Sequence, residues 1–275
     1  MRDDQKIQSV SKALQILCAF DTSAPSLGIS ELSGSLGFPR SVTHKLVRTL
    51  AGAGFLLQDY STRRYYLGPS ILPLATRYLD SKPLFRDAPL ILGELTRRTG
   101  HTSALGTLEG AEVLFVAVAE GTGLMRAGTK VGDRRPLYAT AAGKVLLAAL
   151  AQEEMERLLG KGPFPQLTPF TVTNLGILRK QLVAVRRAGV AYNLRESYLD
   201  ASAVAVAVSD PRGAIIASIT LILPASVEER RIRGEFTKVV KHYAQRLSAR
   251  LGPLAQIPIA RKEVVGATRR GRIGR

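Results

Sequence analysis

Two nearly all-apolar runs near the C-terminus, residues 201–208 and 214–225, most strongly limit the folds open to this chain. The sequence Ser-Asp-Pro-Arg-Gly at 209–213 separates them and favours a tight turn. Neither run approaches the ~20 residues that a membrane-spanning helix needs. Short apolar runs bounded by a turn are typical of strands buried on both faces. We therefore interpret the pair as a buried β-hairpin, which other elements of the fold must cover.

The neighbouring sequence provides covering elements, because its apolar periodicity predicts helices and strands in alternation. The helices are expected at 84–99, 141–150, 174–188 and 227–251, and the strands at 102–108, 112–119, 190–193, 202–208 and 214–222. This mixture favours an α/β domain with a largely antiparallel sheet. A chain of 275 residues is long enough for a second domain, and we place the boundary at Pro83.

The N-terminal part follows a different pattern. Apolar side chains recur at three- and four-residue steps over residues 7–20, which marks an amphipathic helix. Ser30 is placed to cap a short second helix, and Pro39 to begin a third. Two short extended runs follow at 55–58 and 64–67, with a polar turn between them. This order of elements is that of a winged helix-turn-helix, a DNA-binding motif.

The third helix carries most of the side chains expected to read DNA. In this motif the second helix of the pair lies in the major groove. The side of the helix opposite the apolar stripe Val42, Leu46 and Leu50 carries hydrogen-bond donors and no acid. We predict that the DNA-binding residues are Arg40, Ser41, Thr43, His44, Lys45 and Arg48 on this helix, with Arg63 and Arg64 in the wing. The alternative is a basic helix surface that is merely solvated.

Charge and cysteine content narrow the class of protein. The net charge of +17 suggests a polyanionic partner. Residues 1–80 carry 9 basic and 6 acidic side chains and residues 81–255 carry 24 and 15, so charge alone does not locate the DNA-binding part. The single cysteine, Cys18, excludes an internal disulfide, and the histidines lack ligand spacing. We expect no metal or other cofactor, and Cys18, on the apolar side of the first helix, should be buried.

The sequence offers no catalytic constellation and no targeting segment. A nucleophile beside a base, or two convergent acids, would be needed for catalysis, and neither is visible. An enzyme with an appended DNA-binding domain is therefore a weaker hypothesis. A purely architectural DNA-binding protein would not need the large apolar C-terminal domain. The N-terminus lacks the apolar region of a signal peptide, which predicts a cytoplasmic protein without membrane association.

Several segments resemble the IclR family of bacterial transcriptional regulators. They are IQSVSKALQILCAF, LGISELSGSLGFPRSVTHKLVRTLAGAGFLLQD, RRYYLGPSILPLA, LYATAAGKVLLAAL and GVAYNLRESYLDASAVAVAVSDPRGAIIASITLILPA. The resemblance covers residues 7–250 and implies a GAF-like effector-binding domain, a homodimer or dimer of dimers, and control of a catabolic operon, more often by repression. The expected partners are a double-stranded DNA operator and a small carboxylic acid effector.

With this resemblance the chain is predicted to be an α+β protein in four parts. Residues 1–68 would form the winged helix-turn-helix and residues 69–83 a linker helix. Residues 84–255 would form the GAF-like α/β effector-binding domain, and residues 256–275 a basic tail that is expected to be disordered.

The predicted effector site begins at the sequence Thr-Ala-Ala-Gly-Lys at 140–144. Thr140 is placed to cap a helix whose first N–H groups lack internal partners and attract anions. Small side chains at Ala141 and Ala142 would let a carboxylate approach these groups. The alternative is that they only allow the helix start to pack closely on a sheet. The resemblance implies that carboxylate effectors bind at this pair.

The resemblance also places four other residues in the pocket. Asn193 stands where relatives often carry an acid, and Ala203 where they often carry a cysteine. Thr220 keeps a frequent hydroxyl, whereas Ile222 replaces a second one. The pocket should therefore be more apolar than usual and favour an aromatic or branched carboxylate, since an unpaired ligand hydroxyl would cost ~1–3 kcal/mol. Glu196 matches a recurrent acid that either contacts the ligand or braces the loop, and Arg195 either pairs with the effector or is simply exposed.

Overall fold

The computed structural model describes residues 7–21, 24–122 and 128–251. The chain divides after Leu79 into two compact units, which we call the N-terminal unit and the C-terminal unit. The predicted basic tail at 256–275 lies outside the described residues. In the described ranges, no helix is both long enough and apolar enough to cross a membrane.

The N-terminal unit has the predicted winged helix-turn-helix order. Its elements are α1 (Gln8–Leu17), α2 (Ile29–Leu36), α3 (Arg40–Gly52), β1 (Leu56–Gln58), β2 (Tyr65–Leu67) and α4 (Ile71–Asp80). Gly37 ends α2 in the left-handed conformation at φ 69°, which a glycine adopts without strain. β1 and β2 pair antiparallel, and Leu27 adds an isolated bridge to Tyr65. The core of the N-terminal unit consists of Ile16, Phe20, Leu32, Val47, Leu56 and Tyr65.

Two predictions about side-chain burial in this unit are wrong. The buried stripe of α3 is centred on Thr43 and Val47, both fully buried, with Leu46 and Leu50 only partly buried beside them. Thr43 therefore faces the core and cannot contact DNA. Cys18 is exposed, because it continues the helical turn, with its N–H donating to Leu14 O, and lies about 200° around the helix axis from the buried Ile16.

The C-terminal unit alternates helices and strands as predicted, with two elements that the periodicity missed, β5 and α7. Its elements are α5 (Pro83–Thr99), β3 (Ser103–Glu109), β4 (Glu112–Ala119), β5 (Arg134–Pro136), α6 (Ala141–Ala148), α7 (Gln152–Leu159), α8 (Leu175–Ala188), β6 (Val190–Leu194), β7 (Ala201–Ser209), β8 (Ile215–Pro224), α9 (Glu229–Arg231) and α10 (Thr237–Arg250). A π-helical turn, Ile232–Phe236, joins α9 to α10.

The six strands form one antiparallel sheet in the order β5-β4-β3-β8-β7-β6. The predicted apolar hairpin is β7 and β8, and both strands lie inside the sheet. Alternate side chains point to opposite faces. Ser103 faces α5, where its hydroxyl donates to Leu92 O, whereas the adjacent Ala104 packs in the core beneath α6 and α8. Helices on both faces thus cover the hairpin.

Candidate nucleic-acid interface and effector pocket

The exposed side of α3 and the wing enclose an open groove in the N-terminal unit. Arg40, His44 and Arg48 line it from the helix, and Arg63 lines it from the wing. Ser41 and Lys45 are also exposed on α3, outside the lining of the groove. Apart from Thr43, the residues predicted on α3 are therefore accessible from solvent.

Arg64 also lines the groove, but its guanidinium links the wing to α2 and to the segment just before it. Its Nε donates to Ser26 Oγ at 2.9 Å, and one terminal nitrogen donates to Ser26 O at 2.8 Å and pairs with Glu31 Oε2 at 2.9 Å. Glu31 in turn accepts from Gly28 N at the start of α2. The hydrogen bond from Gly28 N has the largest effect and Arg64 the second largest, and both lower the pKa of Glu31 below its ordinary value. Arg64 thus has a structural role that the sequence did not reveal.

The turn of the wing is fixed by its own side chains. Asp59 Oδ1 accepts from Ser61 Oγ at 2.6 Å and from Ser61 N at 2.8 Å, and Asp59 Oδ2 accepts from Thr62 Oγ1 at 2.9 Å. These hydrogen bonds, with that from the Ser61 hydroxyl the strongest influence, lower the pKa of Asp59 to about 2. Arg63 follows in the left-handed region at φ 56°. The hydrogen-bonded turn therefore leads into a defined backbone conformation at Arg63, whose side chain lines the groove.

In the C-terminal unit, the start of α6 has both of the properties that the sequence offered as alternatives. They are N–H groups unpaired within the helix that can attract an anion, and close packing of the helix start. Thr140 Oγ1 accepts from Gly143 N at 3.0 Å and so caps the helix. A Cβ atom on Gly143 would lie 2.2 Å from Leu137 O, so this glycine allows close packing. Because the cap takes the N–H of Gly143, the N–H groups of Ala141 and Ala142 remain as the orphan donors at the helix start.

A cavity of about 60 Å³ opens beside these two alanines. All six residues predicted for effector binding line it, namely Ala141, Ala142, Asn193, Ala203, Thr220 and Ile222. The sequence did not identify the other lining residues, which are Phe115, Thr129, Arg135, Thr140, Ser197, Tyr198, Ala201 and Ser202. Ser197 and Tyr198 lie within the quoted family segment that begins at Gly189, whereas Arg135 lies in none of the quoted segments.

Some polar groups of the cavity already have hydrogen-bond partners within the described part of the protein, and others do not. Asn193 Nδ2 donates to Ala139 O and Ser197 Oγ, and its Oδ1 accepts from Glu196 N at 2.7 Å. The Asn193 amide thus builds the wall of the cavity. Thr220 is 3% exposed, and among the described residues its hydroxyl has no hydrogen-bond partner. A buried polar group in this state is unfavourable unless a ligand or water pairs with it.

A buried ion pair links α6 to the loop after β6. Lys144 Nζ donates to Glu196 Oε1 at 2.5 Å and to Tyr192 O at 3.3 Å. Burial lowers the pKa of Lys144 and raises that of Glu196, and in each case the partner opposes the shift. Glu196 therefore braces the loop, as one of its two interpretations held. Arg195 stacks on Phe170 with its guanidinium carbon 4.1 Å from the ring centroid, outside the cavity lining.

Comparison with known proteins identifies the family. Residues 9–60 match the family described as "IclR helix-turn-helix domain", and residues 76–249 match "Bacterial transcriptional regulator IclR C-terminal". The chain belongs to the IclR family. It is 33% identical over 247 residues to the HTH-type transcriptional regulator XynR of Escherichia coli K12, a match that covers 90% of this chain and 98% of XynR.

Solved structures of IclR-family proteins match the fold as well. An IclR regulator from Alicyclobacillus acidocaldarius superposes with a TM-score of 0.81 at 26% identity, covering 90% of this chain and all of that chain. An IclR homologue from Microbacterium hydrocarbonoxydans, complexed with 4-hydroxybenzoate, superposes with a TM-score of 0.77 at 23% identity, covering 88% and 98%. With a helix-turn-helix domain and a C-terminal regulatory domain, this IclR-family protein is a DNA-binding transcriptional regulator.

Proposed function

We propose that this regulator represses a catabolic operon and that a small carboxylic acid bound at the start of α6 controls it. The observation that carries the proposal is the meeting of three features in one cavity. The orphan N–H groups of Ala141 and Ala142 suit an anion, and the buried Thr220 hydroxyl has no hydrogen-bond partner in the described part of the chain. The remaining surface is largely apolar, with Phe115 and Ile222 in the lining.

The apolar lining favours an acid with an aromatic or branched body. Ligand pockets usually enclose ~300–1,000 Å³, so a cavity of about 60 Å³ must widen to admit such a ligand. Tyr198 is half exposed at the cavity, and a rotation of its side chain would provide room. The Microbacterium homologue with 4-hydroxybenzoate supports the same chemical class.

We propose that operator binding requires a dimer. The apolar side chains Ile7, Val10 and Leu14 are 69%, 54% and 57% exposed along one side of α1. α4 has no buried residue, although Leu72 and Tyr78 lie on it. Such exposed apolar surface is typical of a subunit interface. A twofold dimer would place two copies of α3 on the half-sites of a pseudo-palindromic operator near the gene.

Thermal unfolding of the full-length protein tests the effector site. A carboxylic acid present at about 100-fold its Kd should stabilise the C-terminal unit by about 2.7 kcal/mol, which raises Tm by about 5–11 °C. Ala142→Leu should abolish this shift by filling the space above the helix start. Ala142→Gly, which keeps the space and the N–H group, should retain it.

The methyl ester of the same acid provides a second control. It should not bind, because it has no charge for the helix terminus to stabilise. If the ligand that binds best from a broad metabolite panel is neutral or cationic, or binds to Ala142→Leu as well as to the unmodified protein, the proposed effector site is wrong. DNA binding by α3 would be unaffected by that result.

A further inference from the structure

The lining of the cavity extends across the sheet. In the strand order, Arg135 comes from edge strand β5, Phe115 from β4 and Thr220 from β8. Neighbouring strands lie about 4.8 Å apart, so the backbones of β5 and β8 are separated by about 14 Å. α6 begins above β3, between them, since a Cβ atom on Gly106 would lie 3.5 Å from Ala142 Cβ. Arg135 and Thr220 thus reach the cavity from opposite sides of the helix start.

The guanidinium of Arg135 is positioned but not saturated. One terminal nitrogen contacts Asp133 Oδ2 at 3.2 Å, and the other donates to Arg134 O at 2.9 Å. The ring of Tyr198 lies 5.9 Å from the guanidinium carbon. These two hydrogen bonds use two of the five N–H groups that an arginine carries. Among the described residues no further acceptor is assigned to it, so donors remain for a ligand.

The surroundings of Arg135 suit a carboxylate more than a neutral group. The planar guanidinium can bind a carboxylate through two parallel hydrogen bonds. The side chain is 27% exposed, so water only partly screens its charge. Asp133 fixes the guanidinium and compensates part of its charge. Asp133 Oδ2 also accepts a hydrogen bond from Lys130 N, which holds the Asp133 carboxylate in place.

We propose that Arg135 is a second anion-binding residue of the effector pocket and that the effector is a dicarboxylic acid with an apolar body. The inference rests on the proposed function, because it assigns the first carboxylate to the start of α6. The second carboxylate binds Arg135 at the β5 side, and Phe115 contacts the apolar body between them. Arg135 therefore sets the specificity for diacids over monoacids.

Calorimetric titration of the full-length protein with matched acids tests this assignment. The pairs are benzoate with benzene-1,4-dicarboxylate, and pentanoate with pentanedioate. The diacid of at least one pair should bind about 10-fold or more tightly than its monoacid, as expected for a charge-assisted hydrogen-bonded pair. Arg135→Gln should reduce the affinity for that diacid to that for the monoacid and leave the monoacid unchanged. Arg135→Lys, which keeps the charge but not the paired geometry, should fall between them.

Arg134→Gln is the matched control for the loss of one positive charge. Arg134 is adjacent on β5, pairs with Glu109 and Glu112, and does not line the cavity. This variant should bind both acids as the unmodified protein does. The inference is overturned if Arg134→Gln and Arg135→Gln have the same effect, if Arg135→Gln weakens both acids equally, or if no diacid exceeds its monoacid. Failure of every carboxylic acid in the broad metabolite panel to bind would instead refute the proposed function.

Discussion

The buried pair of Lys144 and Glu196 allows a quantitative test of how the effector pocket is held together. Their side chains are 3% and 9% exposed, so Lys144→Met leaves a carboxylate in a site that excludes water. Breaking a buried pair on one side costs about 3–5 kcal/mol. For a unit of this size the loss corresponds to a decrease in Tm of about 6–20 °C. Thermal unfolding followed by circular dichroism measures it directly.

A double variant separates the cost of an isolated charge from the value of the pair. Lys144→Met combined with Glu196→Leu removes both charges, and such replacements are often neutral or stabilising. The hydrogen bonds from Thr168 and Thr171 go to the backbone oxygen of Glu196, so they persist. The double variant should therefore recover most of the lost Tm. Arg179→Met, which breaks a partly exposed pair with Glu156, should cost no more than about 1 kcal/mol.

The pH dependence gives an independent check on the same pair. Burial raises the pKa of Glu196 above its ordinary value of 4.5, and Lys144 opposes that shift. Without Lys144 the folded state binds the Glu196 proton more tightly than the unfolded state does, so its stability falls as pH rises above that ordinary value. The Tm deficit of Lys144→Met should be smaller at about pH 5 than at about pH 8. The reasoning is refuted if the single variant matches Arg179→Met in stability, or if the double variant is as unstable as the single one.

Three further predictions concern the DNA-binding surface, ligand preference and the wing. Arg48→Ala should weaken operator binding by ~1–3 kcal/mol in a fluorescence anisotropy titration without changing the Tm of the N-terminal unit. Ile222→Ser should shift the preference of the pocket toward smaller, more polar acids, measured by calorimetry across one series. By NMR, Asp59 should titrate near pH 2, and Ser61→Ala should move its pKa toward the ordinary value of 3.8.

The regular parts of the fold could be predicted because their side-chain periods report burial directly. The hairpin of β7 and β8 is apolar throughout, since helices cover both faces of the sheet at those strands. The winged helix-turn-helix was recognisable from punctuation by glycine and proline around α2 and α3. These features depend on neighbours in sequence, and local spacing is enough to infer them.

Other features depend on contacts between distant residues, which local spacing does not encode. β5 is three residues long and two of them are arginines, so no apolar alternation indicates it. Arg135 enters the cavity only because β5 pairs with β4. The ligand contact of Asn193 stays a prediction, and local spacing does not indicate that its side-chain nitrogen donates to Ala139 O and Ser197 Oγ. The DNA contact of Arg64 also stays a prediction, but its hydrogen bond to Ser26, 38 residues away, could not be inferred from local spacing.

The pairing of polar groups in the cavity limits which ligands it can select. Thr140, Asn193 and Ser197 already form hydrogen bonds within the protein, so a ligand gains little by contacting them. The helix-start N–H groups, the Thr220 hydroxyl and part of the Arg135 guanidinium lack such partners among the described residues. A neutral apolar ligand would cover these donors without satisfying them, at ~1–3 kcal/mol for each one buried. A site with unpaired donors rejects ligands that lack acceptors more strongly than an apolar pocket rejects a wrong shape. The proposed selectivity for acids therefore rests on the few groups that have no partner in the described part of the chain.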